Sequence, residues 1–596
     1  MTRTPLRPLA RILSARQKGE NPDAIERENL RLRHEEMRDR ARQRAEGRLL
    51  VLGLFFFGAF LVVGARMGLV AASEPTEPRS ATDSAPHIVA QRADIVDRNG
   101  KLLATNLLTF ALYAQPPIMV DKPKAARELA AIFPDLDEQK LLQQFTGKRK
   151  FLWIKKKLSP EQQQAVHDIG EPGLLLGPRE MRLYPNGRLA GHILGGYGFG
   201  REGVNAVEVI GSAGVAKTFD GFLRDPAEQG RPLQLSIDLT IQAAIERVLN
   251  GGMRLMNAKG AAAVLMDART GEIVAMSSLP DFDPNDRPAP LPSGDPSDSP
   301  LFNRAVQGVY ELGSVFKILT AAQAMREGLA NADTLVEADA PMVWGRFRIK
   351  EFRNKNYGPL LSLTDVVVQS SNVGTARTAL RIGGERQQAF FRELGFFDPT
   401  PVELVEAPYS KPLIPNKWSE ITTITASYGH GVAISPLHLA AAYASVLNGG
   451  TKVTPTLLKR DRPAPGPRVV SAEVSAAARS MLRQVVTRGT AQFGEVPGYA
   501  VAGKTGTADK PNPRGGYYAD KVITTFASVF PAHDPRYVLV VTLDEPEETS
   551  GDRPRRTAGW TAVPVAAEVI RRTAPLLGLR PEIEPDTLNA LRVKAN

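Results

Sequence analysis

Ser314 and Lys317 stand three residues apart in Gly313-Ser314-Val315-Phe316-Lys317, ahead of the run Ile318-Leu319-Thr320-Ala321-Ala322. If this stretch is helical, the spacing puts both side chains on one face, within reach of each other. A serine hydroxyl is a poor nucleophile at neutral pH, and a desolvated lysine that has lost its proton can act as its base. Just after a glycine, Ser314 would also stand near a helix N-terminus, where free backbone N–H groups face an incoming oxyanion. Alone, Ser-x-x-Lys is far more often an exposed helix face, so its meaning depends on what else the chain supplies.

Two later segments supply it. Gln369-Ser370-Ser371-Asn372-Val373-Gly374 offers a hydroxyl at Ser370 and a carboxamide at Asn372 on a turn between helical stretches. Such a pair can relay a proton and hold a substrate amide, although Ser/Asn pairs also cap helices routinely. Ala502-Gly503-Lys504-Thr505-Gly506-Thr507-Ala508 reads as the end of a strand. A cation at Lys504, hydroxyls at Thr505 and Thr507, and a glycine at Gly506 that lets a ligand lie close suit an extended peptide ending in a carboxylate.

The elements around these segments follow from periodicity and punctuation. Residues 1–48 are arginine-rich and read as a basic arm, part disordered and part solvated helix. Residues 49–72 carry an uncharged apolar run, Leu49 to Ala65, that Arg66 can extend by snorkelling, close to the roughly 20 residues that cross a bilayer. The arginine excess before it places that side in the cytoplasm. A cleaved signal peptide and a buried soluble helix compete with an anchor. The apolar run exceeds the usual secretory length, and a buried helix would not be apolar on every face with such charged flanks. Residues 73–91 are a Pro/Ser/Thr-rich linker. Residues 92–230 mix helix and strand without a catalytic constellation, opening with a strand at Ile95-Val96 and a turn at Asp97-Arg98-Asn99-Gly100. From 231 to about 580 the pattern is α+β. Ser236-Ile237-Asp238 leads into an amphipathic helix, a hairpin is expected over 261–277, helices dominate 363–450, and apolar strands over 522–530 and 537–544 read as antiparallel. An amphipathic helix over 562–577 and a tail over 581–596 close the chain.

Composition narrows the function. The chain has 596 residues, a formal net charge of +11, no cysteine and seven scattered histidines. Thiolate catalysis, disulfides and cysteine metal sites are excluded, and no metal or other cofactor is expected. The positive charge fits a membrane surface or an anionic wall polymer. No zinc-finger spacing or aromatic RNA-binding signature supports nucleic acid.

Ser-x-x-Lys, then Ser-x-Asn, then Lys-Thr-Gly, in that order, is the set shared by penicillin-binding proteins and class A β-lactamases. The chain resembles a class B penicillin-binding protein, and most nearly the division-specific FtsI type. The likeness extends to Arg92-Ala93-Asp94-Ile95-Val96-Asp97-Arg98-Asn99-Gly100, Asp283-Pro284-Asn285, Asn303-Arg304-Ala305, Tyr428-Gly429-His430-Gly431, Arg488-Gly489-Thr490-Ala491 and Gly559-Trp560-Thr561-Ala562. Ala93 and Leu312 depart from it, standing where the family usually has glycine and often has proline.

The resemblance implies a multi-domain α+β protein. A single transmembrane helix would be followed by an α/β, dimerisation-like, non-catalytic pedestal (92–230). A serine transpeptidase/β-lactamase-like domain (231–580) would have a central antiparallel sheet flanked by helices. It implies a peptidoglycan D,D-transpeptidase of the inner membrane, with the catalytic domain in the periplasm, acting at the division septum and trapped by β-lactams. Ser314 would attack the D-Ala–D-Ala carbonyl and Lys317 would take its proton. Ser370 would relay a proton to the leaving amine, and Asn372 would orient the donor amide. Lys504, Thr505, Gly506 and Thr507 would receive the terminal carboxylate, and the N–H groups of Ser314 and Thr507 would form the oxyanion hole. Implied partners are the stem peptides, a polytopic FtsW-like glycan polymerase and other division proteins.

Four other readings stay open on the sequence. An elongation-type class B transpeptidase shares every motif. A β-lactamase would need a water-activating carboxylate, and residues 400–420 show no Glu-x-Glu-Leu-Asn-like segment. A penicillin sensor would need a larger cytoplasmic domain than 48 residues. A non-catalytic scaffold would not need Ser314, Lys317, Asn372 and Lys504 intact.

Overall fold

The computed structural model describes residues 13–19, 21–72, 92–202, 207–460, 462, 466–512 and 514–582. The linker 73–91, most of the tail and Asn205 of the pedestal lie outside the described residues. The chain divides into two compact units, one of residues 1–79, 112–156 and 160–176, the other of 80–111, 157–159 and 177–596.

The first unit holds a 51-residue helix, Pro22–Ala72. The arm is therefore helical from Pro22 and continuous with the apolar run. Within it Gly47–Met67 is 21 residues long, apolar, and unburied among the described residues. At 1.5 Å per residue this covers about 30 Å, the thickness of a bilayer's hydrocarbon core. A helix apolar all round and unburied has no soluble partner to satisfy it, which supports a membrane anchor. Further on, the helices Lys122–Ile132 and Glu138–Thr146 start on aspartates, Asp121 and Asp137. Their carboxylates accept from Lys124 N and Lys140 N at 3.0 and 2.7 Å.

The second unit is built on a five-stranded antiparallel sheet. Its order is Ala502–Pro511, Tyr517–Phe530, Tyr537–Asp544, Gly260–Asp267 and Ile273–Leu279. The 261–277 hairpin and the antiparallel pair over 522–544 are as the apolar patterns predict, although Tyr517–Phe530 begins five residues earlier. Leu239–Leu255, Pro436–Leu447 and Ala562–Thr573 pack on the sheet. Asp238 caps the first of these, accepting from Thr240 N and Ile241 N at 2.9 and 3.1 Å. Pro436–Leu447 is buried at every position, consistent with its largely apolar composition, and its polar His438 and Ser445 are paired, Ser445 Oγ donating to the Ala441 carbonyl at 2.7 Å and His438 bonding Ser435 at 2.9 Å.

The strand Ile95–Val96 and its turn also belong to this unit. Asp97 Oδ1 accepts from Asn99 N and Lys101 N, both at 2.8 Å, closing the turn at Gly100, whose φ is +83°. Arg92 is buried, and donates to Asp220 Oδ1 and the Ala216 carbonyl, each at 2.7 Å. Buried Arg182 donates to the carbonyl of Ala93 at 2.9 Å. This paired framework gives the Arg92–Gly100 segment a structural role.

Candidate active site

The site lies at the edge strand Ala502–Pro511. Gly313–Phe316 forms a tight helical turn that runs into the helix Lys317–Arg326. The turn sits against the strand backbone to backbone. A Cβ on Gly313 would fall 2.7 Å from the Thr507 carbonyl oxygen, and one on Gly506 only 2.1 Å from that of Leu312. Only glycines permit this approach, and Gly313 also has φ +63°. Ser314 is thereby held beside Thr507, half-buried.

Ser370 stands between the helices Leu363–Val368 and Asn372–Ile382. Its φ is +61°, a left-handed conformation that a non-glycine residue adopts at a cost. That turn aims both the carbonyl and the hydroxyl of Ser370 at the serine helix. Lys317 is buried, and its Nζ donates to the Ser370 carbonyl at 2.5 Å and to Asn372 Oδ1 at 2.7 Å, with Ser370 Oγ at 3.2 Å. A neutral amine has two protons and one lone pair. The two carbonyl-type oxygens take the protons, which leaves the lone pair free for a hydroxyl proton. Burial drives the Lys317 amine down to about 7, partly opposed by the charge of Glu351. It can therefore lose its proton near neutral pH.

Lys504 is buried as well, and its Nζ donates to Ser370 Oγ at 3.0 Å and to the Thr505 carbonyl at 3.2 Å. Burial, then repulsion from Lys317, holds its pKa well below the ordinary lysine value. Two amines on one oxygen disfavour a doubly protonated pair. The favoured arrangement keeps one cation and one base, bridged by the Ser370 hydroxyl. Thr505 Oγ1 pairs with Thr490 Oγ1 at 2.7 Å, and Thr507 Oγ1 accepts from Ala558 N at 3.0 Å, keeping its own proton to donate.

Lys317, Ser370, Asn372 and Lys504 thus form one hydrogen-bonded network, with Thr505 at its edge. Ser314 differs from the sequence expectation in one respect. Among the described residues its hydroxyl makes no hydrogen bond, and the network closes on Ser370 instead. Ser314 joins the site through its neighbours in the turn, Gly313 lying against Thr507 and Leu312 and Val315 against Gly506.

Glu351 is the residue that sequence reasoning missed. It is 3% exposed, and its carboxylate accepts from Ser371 Oγ at 2.6 Å, Asn372 N at 2.8 Å and Val373 N at 3.1 Å. It fastens the start of the Asn372–Ile382 helix and contributes negative charge toward Lys317. The only trace in the sequence is a single acidic residue in the basic stretch Arg346 to Lys355. Glu311 was also passed over. Its Oε1 accepts from Gly431 N at 2.7 Å and its Oε2 from Tyr517 Oη at 3.0 Å, tying the Tyr428–Gly431 segment to the serine turn.

Residues 261–570 match the penicillin-binding protein transpeptidase domain, and residues 87–229 match the penicillin-binding protein dimerisation domain. The chain is a class B penicillin-binding protein. This class B penicillin-binding protein is 34% identical over 572 residues to the probable peptidoglycan D,D-transpeptidase FtsI of Caulobacter vibrioides, covering 94% of each chain. It is 28% identical over 483 residues to the peptidoglycan D,D-transpeptidase FtsI of Escherichia coli, covering 77% of this chain and 80% of that one. Among solved structures it resembles penicillin-binding protein 3 of Mycobacterium tuberculosis complexed with aztreonam. The TM-score is 0.62 and the identity 26%, over 83% of this chain and 98% of that one.

Proposed function

We propose that this penicillin-binding protein is a membrane-anchored peptidoglycan D,D-transpeptidase that cross-links stem peptides at the division septum through an acyl-enzyme on Ser314. The observation that carries this reading is the shared Ser370 hydroxyl, bonded by both buried amines beside the Gly313–Ser314 turn. Ser314 Oγ attacks the carbonyl of the penultimate D-Ala, and its proton passes to neutral Lys317. The backbone N–H groups of Ser314 and Thr507 face the oxyanion that forms, a contribution of about 3–4 kcal/mol per donor in such sites. Collapse breaks the C–N bond, and a proton delivered through the Ser370 hydroxyl leaves with the D-Ala amine. Lys504, Thr505 and Thr507 hold the terminal carboxylate, and Gly506 keeps the strand open to it. Asn372 fixes Lys317 by its oxygen. An amine from a second stem then attacks the ester, forming the cross-link and returning the proton to Ser314. A β-lactam follows the first half of this course and stops at the ester.

The apolar Gly47–Met67 segment and the basic arm before it support a single-pass anchor in the inner membrane. The arm would lie in the cytoplasm and the catalytic domain in the periplasm, with residues 92–230 as docking pedestal and 231–580 carrying the chemistry. The FtsI names of its relatives support the septal role and, with it, a polytopic FtsW-like polymerase as neighbour. The test is Ser314→Ala in the full-length protein. Covalent labelling by a fluorescent penicillin should vanish, and persistent labelling would remove Ser314 as nucleophile. A fluorescent fusion should gather at midcell; sidewall signal would favour elongation.

A further inference from the structure

Just ahead of the Ser-x-Asn turn the chain forms a small projecting arm. Met342–Trp344 and Phe347–Ile349 pair as an antiparallel hairpin, and residues 352–356 continue as an exposed loop. Between residues 340 and 360 there are five basic side chains, Arg346, Arg348, Lys350, Arg353 and Lys355, and one carboxylate. That carboxylate is the buried Glu351, already engaged with the Ser-x-Asn turn. All five cations are exposed, and among the described residues none makes an ion pair. Phe347 and Phe352 are exposed on the same arm, with the guanidinium groups of Arg346 and Arg353 each 5.2 Å from a ring centre.

Two features distinguish this arm from ordinary solvated charge. Its inner face is fastened to the catalytic turn. Met342 and Ile349 pack with Val373 and Ala376, the Lys350 carbonyl accepts from Asn372 Nδ2 at 2.9 Å, and Tyr357 Oη donates to the Gln369 carbonyl at 3.1 Å. Its loop also holds Arg353 and Asn354 at φ +55° and +53°, in a turn closed by Asn354 N donating to the Glu351 carbonyl at 3.0 Å and Lys355 N to that of Phe352 at 3.3 Å.

We propose that the arm is a docking surface for the carboxylate-bearing stem peptides of a peptidoglycan strand. This rests on the transpeptidase reading and adds to it a second point of substrate contact, outside the cleft. Guanidinium groups pair with carboxylates in a bidentate fork, and the exposed rings give the alanine methyl groups of a stem an apolar floor. Exposed pairs are individually weak, so the attraction is collective and falls with salt. A strand held here sits against the element that carries Ser370 and Asn372.

The test uses full-length protein in detergent and labelled soluble glycan strands bearing uncross-linked pentapeptides. Replacing four cations together (R346Q, R348Q, R353Q, K355Q) should weaken strand binding at least tenfold. The swap R346K, R348K, R353K, K355R keeps the charge but loses three bidentate forks, and should bind between wild type and the neutralised protein. Wild-type affinity should fall steeply from about 50 to about 300 mM salt. Penicillin acylation should stay within twofold of wild type in both variants, showing that fold and Ser314 chemistry are intact. A second measurement needs no variant: strands amidated at every stem carboxylate except the terminal D-Ala one should bind wild type as weakly as native strands bind the neutralised protein. Equal binding of native and amidated strands, or undiminished binding by the neutralised protein, overturns the proposal. So does retained strand binding combined with loss of an acidic protein partner. Failure of wild type to acylate would instead strike the transpeptidase reading.

Discussion

Glu351 touches no substrate in this scheme, yet the site should fail without it. Its carboxylate holds one hydroxyl and two backbone N–H groups at the start of the helix that bears Asn372. Glu351→Ala leaves those three donors buried and unpaired, at about 1–3 kcal/mol each before relaxation. Partial rehydration of the vacated space reduces this, and a net loss of about 3–4 kcal/mol is the expectation, enough to lower Tm by roughly 5 °C or more. Glu351→Gln is the sharper test. It keeps the size and one of the two acceptor oxygens but removes the charge that raises the Lys317 pKa against burial. Without it the Lys317 amine moves further below about 7. The base is active when neutral, so the rising limb of the acylation–pH profile shifts to lower pH. At mildly acidic pH the variant keeps a larger fraction of its own maximum than wild type does, even if that maximum is lower. The assay is the second-order rate of penicillin acylation in single turnover, over about pH 5 to 9, with Tm recorded alongside. An unchanged midpoint, or a shift to higher pH, would refute the electrostatic link between Glu351 and Lys317. A purely structural role predicts lower rates at every pH and no shift.

Lys317→Met should abolish acylation and change stability little at pH 8. Lys317 has a depressed folded pKa, so its contribution is most favourable above about 10.4 and is lost as pH falls toward 7. At pH 8 the cost is roughly 3 kcal/mol; methionine relieves it but leaves the Ser370 carbonyl and Asn372 Oδ1 without a donor, at about 1–3 kcal/mol each, so the two nearly cancel and a loss of more than about 5 °C in Tm would contradict this. Wild-type acylation should rise through about 7 as Lys317 loses its proton. A flat profile from about pH 5 to 8 counts against Lys317 as the base. Gly506→Ala would set a methyl 2.1 Å from the Leu312 carbonyl oxygen and push the strand off the serine turn. Acylation should fall at least tenfold with a loss of about 1–3 kcal/mol in stability, and near-normal acylation would mean the approach is not needed. Thr490→Val should weaken β-lactam recognition severalfold by freeing the Thr505 hydroxyl from its 2.7 Å partner, read as a change in the binding step rather than in the rate at saturation.

Much of this protein is written in short-range order. The Leu49–Ala65 run, the apolar strand runs within 261–277 and 522–544, the Asp238 cap and the glycines at 313 and 506 each act on their immediate neighbours, so composition and residue type suffice to read them. The three catalytic segments were recognisable by order and local context, and the family resemblance assigned them roles. Nothing local shows that Ser370 adopts a left-handed backbone, that its one hydroxyl is shared by lysines 53 and 134 residues away, or that Glu351 reaches across to cap Asn372. Nor does spacing reveal that Lys317 turns to Ser370 and Asn372 and leaves the Ser314 hydroxyl unbonded. The shift of Lys317 toward 7 likewise depends on desolvation by segments remote in sequence. Residue identity settles which groups can ionise, donate or bend. Only packing settles how much water they lose and which charges they face, and those two quantities decide whether an amine is a base.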